Sequence, residues 1–135
     1  MPHIVIEYSQ DSFKSKDFKD LPSAHKELGL QQGIPGLVSS VFEAVVNTDI
    51  VNPENIKVRA YQAEFYKLGL ANTGFMHAVC KTHSGKTEFQ KQELSQMILN
   101  ALEQIVQLTA EHSMVITVEV VEMDTSSYSK RLIEK

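Results

Sequence analysis

The sequence predicts an α+β fold. It is a two-layer α/β sandwich in which a β-α-β unit occurs twice, so that a four-stranded sheet carries two helices on one face. Three observations predict it. Four stretches rich in β-branched residues read as strands: His3 to Tyr8, Ile56 to Tyr66, Phe75 to Thr82 and Met114 to Met123. Two stretches with apolar residues at helical spacing separate the first strand from the second and the third from the fourth. The chain has 135 residues, the size of one domain (1–135), and buries about two-thirds of its unfolded surface.

The elements follow in order. His3 to Tyr8 alternates apolar and polar residues. Residues 10–33 are polar and mixed, with Lys14, Lys16, Asp17, Lys19 and Asp20 forming a solvated surface, and read as an inserted connection. Within it, Leu21 to Leu30 has the composition of a short helix. Ile34-Pro35-Gly36 then opens a helix whose apolar stripe is Leu37, Val38, Val41, Phe42 and Val45. Pro35 suits a first turn, where its missing N–H leaves no broken bond. Asn52-Pro53-Glu54-Asn55 is a turn, and the second strand follows it.

The second half repeats the pattern. After the strand Phe75 to Thr82, Thr87-Glu88-Phe89-Gln90 fits a capping box with Thr87 as N-cap. The helix it opens carries Leu94, Met97, Ile98, Ala101, Leu102, Ile105, Val106 and Leu108 on one stripe and is expected to end near His112. The tail from Asp124 to Lys135 is polar and long enough to reach a neighbouring subunit. Each β-α-β crossover should be right-handed with its two strands parallel. The strands carry apolar residues on both faces, Val5 against Ile4 and Ile6, and Val118 and Val120 against Thr117 and Val121. One helical layer covers one face, so self-association into a closed ring is expected to cover the other.

Composition narrows the function. A net charge of −4 with no basic stripe argues against a nucleic-acid partner. No apolar run approaches the roughly 20 residues that span a bilayer, so no membrane role is expected. The start of the chain lacks the charged region and cleavage site of a signal peptide. Cys80 is the one cysteine, which rules out an intrachain disulfide. A cytoplasmic location is the expectation.

Pro2 is the first candidate for chemistry. Removal of Met1 would leave Pro2 with a free secondary amine, held at the start of a strand. Burial or nearby positive charge lowers the pKa of such an amine, and a base that titrates near neutral pH is suited to moving protons to and from carbon. Lys57 and Arg59 stand two apart on a strand, so both side chains face the same way. Other patterns carry less. Ser84-Gly85-Lys86-Thr87 follows a strand and precedes a helix like the end of a phosphate-binding loop, but Cys80 stands where that loop needs its first glycine. The five histidines show no metal-binding spacing. Cys80, in an apolar strand, reads as a small core residue.

The opening Pro2-His3-Ile4-Val5-Ile6-Glu7-Tyr8-Ser9 and the doubled β-α-β order resemble the tautomerase superfamily, and most closely the 5-carboxymethyl-2-hydroxymuconate isomerase family. Ile34-Pro35-Gly36-Leu37, Ile56-Lys57-Val58-Arg59-Ala60, Phe75-Met76-His77 and Ser84-Gly85-Lys86-Thr87 are similar to it too, in the same order. The resemblance implies a homotrimer that acts on a small-molecule carboxylic acid without a cofactor. Pro2 would be the catalytic base, moving a proton between carbons of an unsaturated 2-hydroxy or 2-keto acid. Lys57, Arg59 and Lys86 would bind the substrate carboxylates. The family usually has arginine where Lys57 and Lys86 stand, whereas Arg59 matches an arginine. Lysine keeps the charge but loses the planar fork that grips a carboxylate with two bonds. Tyr128 resembles a tail tyrosine of the family, without an assigned role. Two alternatives stay open: a related enzyme acting on a different enol or halogenated acid, and a non-catalytic trimer.

Overall fold

A computed structural model describes residues 2–9, 33–110 and 112–135. Their elements, in chain order, are β1 (His3–Ser9), α1 (Gly33–Asn47), a 3-10 turn (Pro53–Asn55), β2 (Lys57–Ala63), β3 (Thr73–Thr82), α2 (Glu88–Thr109) and β4 (Ser113–Glu122). The sheet order is β2-β1-β3-β4. β1 pairs with β2 and β3 with β4 in parallel, and the two units join through the antiparallel β1–β3 pair. This is the doubled β-α-β arrangement expected from the sequence. The short helix expected at Leu21 to Leu30, and the rest of the connection up to residue 32, lie outside the described residues.

Local signals place the element ends. Thr87 accepts from Gln90 N at 3.0 Å, and Gln90 Oε1 accepts from Thr87 N at 2.9 Å, which closes the predicted capping box. Asn52 caps the 3-10 turn by accepting from Glu54 N at 3.1 Å. Most ends fall within two residues of expectation, and two differ by three residues. β2 stops at Ala63 instead of Tyr66, where the chain bends at 64–65, and Phe65 beyond it is exposed. α2 stops at Thr109, short of His112, because the backbone turns extended at Ala110, whose N–H still bonds Val106 O.

Both helices cover one face of the sheet. Alternation along β1 sends Ile4, Ile6 and Tyr8 into the core, and pairing brings Cys80, Ala78 and Met76 beside them. Leu37, Val41 and Val45 of α1 and Leu94, Ile98, Leu102 and Ile105 of α2 close over these strands. Met97, Val106 and Leu108 of the predicted stripe are only partly buried, at its margin. Cys80 is a core residue, as expected, and burial pushes its thiol pKa up to about 11 despite the positive charge of Lys86 nearby.

The opposite face carries apolar residues as well, as expected, mixed with charged ones. Val5 pairs with Val79 there, and Val121 and Val115 lie on β4, but Arg59, Glu7, His77 and Glu119 stand among them. Val118 and Val120 belong to the helix-covered side. Val115 pairs with Phe75, Val121 with Lys81 and Val79 with Glu119, so apolar and charged residues share this face.

Candidate active site

The topology gathers the candidate residues at one end of the sheet. β1 and β2 run parallel, so their starts lie together. The backbone N–H of Lys57 donates to the carbonyl of Pro2 at 3.1 Å, which extends the ladder one step before β1. Pro2 is buried. His3 lies beside Lys57, and Val5 beside Arg59. β3 is antiparallel to β1, so its end reaches the same place, with Lys81 opposite His3 and Lys86 in the loop beyond. Pro2, Lys57, Arg59 and Lys86 therefore share one end of the molecule. Among the described residues, no hydrogen bond ties Lys86 to the other three.

Lys57 and Arg59 are exposed on the sheet face without helices, as their spacing predicts. An open groove of about 490 Å³ runs along the outer edge of β2, between Val38 and Phe42 of α1 and the stretch Ile56 to Arg59. Its α1 wall is mixed, with Ser39 and the carboxylate of Glu43 beside Val38 and Phe42, so the groove by itself does not mark an anion site.

Sequence reasoning missed two participants. Arg59 Nη1 lies 3.4 Å from His3 Nδ1. On the other edge of the same ring, His3 Nε2 lies 3.2 Å from the Tyr128 hydroxyl. Tyr128 also stands edge-on to His83, with ring centroids 5.2 Å apart. Removal from water lowers the pKa of His3, and the charges of Arg59 and Lys57 lower it further. The alternation of β1, which puts His3 opposite in direction to Ile4, was the available signal for His3. For Tyr128 the one signal was its resemblance to a tail tyrosine of the family, and its meeting with His3 depends on the path of the chain after β4.

That path is well defined. Asp124 Oδ1 accepts from Ser126 N at 3.1 Å and from Ser126 Oγ at 2.7 Å. These bonds lower the Asp124 pKa. Tyr128 N donates back to Asp124 O at 3.0 Å. Ser84 and Thr125 share a hydroxyl contact at 2.8 Å, and Lys130 Nζ reaches Asn55 Oδ1 at 3.4 Å. The segment after β4 thus crosses the end of the sheet, from the β3 end past His3 to the start of β2.

Comparison with known proteins agrees with this architecture. The crystal structure of a 5-carboxymethyl-2-hydroxymuconate isomerase from Deinococcus radiodurans R1 superposes with a TM-score of 0.71 at 21% identity, covering 96% of this chain and 88% of that one. A 5-carboxymethyl-2-hydroxymuconate delta-isomerase gives 0.65 at 16% identity, over 98% and 88%. A fused 4-OT that forms a symmetric trimer gives 0.64 at 11% identity, over 96% and 91%. At these identities the likeness is one of fold. No curated protein sequence matches the chain. The family profile of 5-carboxymethyl-2-hydroxymuconate isomerase matches residues 23–134, a span that holds Lys57, Arg59, Lys86 and Tyr128 and stops short of Pro2 and His3. Matched over most of its length, the chain belongs to the 5-carboxymethyl-2-hydroxymuconate isomerase family.

Proposed function

We propose that this protein is an isomerase that moves a proton between carbons of an unsaturated 2-hydroxy or 2-keto acid similar to 5-carboxymethyl-2-hydroxymuconate. The observation that carries the reading is the ladder contact between Lys57 and Pro2, which brings a potential base beside two cations on β2. Removal of Met1 converts the Pro2 nitrogen from an amide to a secondary amine. Burial disfavours the charged form of such an amine, which favours the free base. The base takes a proton from one position of the dienol acid, and the electron pair delocalises towards the carboxylate end as a dienolate. The resulting ammonium returns the proton at another carbon. Arg59 and Lys57 hold the carboxylate and stabilise the dienolate, with Lys86 as a third cation. No step needs a cofactor.

A homotrimer is part of this reading. The fused 4-OT neighbour is a symmetric trimer on the same fold, and the mixed sheet face and the outer edges of β2 and β4 are available for assembly. Light scattering should report about three times the chain mass of 15.2 kDa. A second reading is a related enzyme with a different enol or halogenated acid, favoured by lysine at 57 and 86. The same fold is found in a member of the cis-3-chloroacrylic acid dehalogenase family.

The test is an intact-mass measurement followed by an assay. Protein lacking Met1 should ketonise a 2-hydroxydienoate, and Pro2→Ala should slow that by about 10²–10⁴. Equal rates for the two proteins would remove Pro2 as the base.

A further inference from the structure

We infer that His3 is a positioning residue for Arg59, and that Tyr128, carried by the segment after β4, holds the His3 ring in the tautomer this task requires. The inference deepens the isomerase reading and rests on it only for the identity of the substrate.

The hydrogen inventory of the three side chains decides the tautomer. A guanidinium has donors and no acceptor, so His3 Nδ1 must accept from Arg59 Nη1 at 3.4 Å. A neutral imidazole with an accepting Nδ1 carries its proton on Nε2. That N–H is then the donor to the Tyr128 oxygen at 3.2 Å. The order is therefore Arg59 to His3 to Tyr128, each group donating to the next, and only neutral His3 allows it. Partial removal from water favours that state, as do the charges of Arg59 and Lys57 on β2 and Lys81 on β3; Tyr128 packs edge-on against the ring and is itself packed against His83. Glu7, four residues on along β1, is the acidic group on the same strand face.

The consequence concerns Arg59. It stands exposed at the end of a long, rotatable side chain, and an exposed arginine samples many orientations. One of its five donors is given to His3, which leaves the other edge of the fork for a carboxylate. Fixing the side chain before substrate arrives reduces the ordering that binding would otherwise require. Tyr128 adds a second constraint, because the Asp124 turn and the Thr125 and Lys130 contacts fix where its hydroxyl sits. The segment after β4 therefore acts on a residue of β2 through a ring on β1.

Nitrogen NMR of the His3 ring and steady-state kinetics test the inference together. The spectrum of the unliganded protein should show Nδ1 unprotonated and Nε2 protonated near neutral pH. His3→Ala should raise KM for a 2-hydroxydienoate about tenfold, the worth of one hydrogen bond, with kcat nearly unchanged. His3→Asn, whose side-chain oxygen can accept close to the position of Nδ1, should recover most of that loss. Tyr128→Phe keeps the ring packing and should raise KM by a smaller factor. In an Arg59→Ala background, His3→Ala should add nothing. A proton on Nδ1, or His3 and Arg59 effects that simply multiply, would overturn the inference. Absence of turnover in protein with a free Pro2 amine would instead sink the isomerase reading, and the spectrum would still decide the state of His3.

Discussion

The backbone N–H of Lys57 donates to the carbonyl of Pro2 across 3.1 Å, so the first residue of β2 is tied to the residue proposed as the base. The tie is made by the main chain and survives any change of the Lys57 side chain. Lys57 can therefore be changed to arginine without breaking this bond. Lys57→Arg restores the planar fork that the family usually has here and should raise turnover of 5-carboxymethyl-2-hydroxymuconate by roughly tenfold. A variant with the same fold, a free Pro2 amine and no gain would show that Lys57 does not set this protein's specificity.

The core prediction is independent of catalysis. Ile98 and Leu102 of α2 are fully buried against the sheet. Leu102→Ala should destabilise the protein by about 2–5 kcal/mol through lost burial and a residual cavity. Urea unfolding at fixed protein concentration checks this, because any assembly makes stability depend on concentration. A shift under about 1 kcal/mol would mean that the site collapses around the smaller side chain.

Several features of this fold were legible because they are local. The period of two in His3 to Tyr8 separated Ile4 and Ile6 from Val5, and the burial follows it. Thr87 and Gln90 lie three residues apart, and both bonds of their capping box formed. Lys57 and Arg59 were legible as a pair for the same reason. What was not legible depends on pairing between distant segments. The register that sets Ser9 beside Ala63 joins segments more than fifty residues apart. The charged character of the open face arises only when Arg59 and Glu119 are brought into line with Val5 and Val79. Tyr128 meets His3 across 125 positions of sequence, which no local pattern encodes.

Thr82 gives a prediction of unusual sign. It is fully buried, and its hydroxyl has no hydrogen-bond partner among the described residues. A buried, unpaired hydroxyl destabilises the fold by about 1–3 kcal/mol. Thr82→Val keeps the shape and the β-branched backbone preference while removing the polar atom. The substitution should therefore be neutral or stabilising, by up to about 1 kcal/mol in urea unfolding. A clear loss of stability would show that the hydroxyl has a partner in solution, either water or a freed Pro2 amine across the β1–β3 pair.

His3 also predicts how stability changes with pH. Removal from water, followed by the charges of Arg59 and Lys57, lowers its pKa in the folded protein below the ordinary value of 6.5. Well above pH 6.5 His3 is neutral whether the chain is folded or unfolded, and it adds no pH dependence there. As the pH falls below that value, the unfolded chain takes up the proton first, so stability declines until the folded pKa is passed and then levels off. His83 is lowered as well, by removal from water and by positive charge that includes Lys86, and it contributes a slope of the same sign. His3→Asn should therefore flatten part of the decline below pH 6.5 and leave the part due to His83. Unfolding in urea at a series of pH values, at one protein concentration, measures both slopes. Parallel curves for wild type and His3→Asn would mean that the His3 ring accepts a proton as readily in the fold as out of it, which the donor order from Arg59 to Tyr128 does not allow.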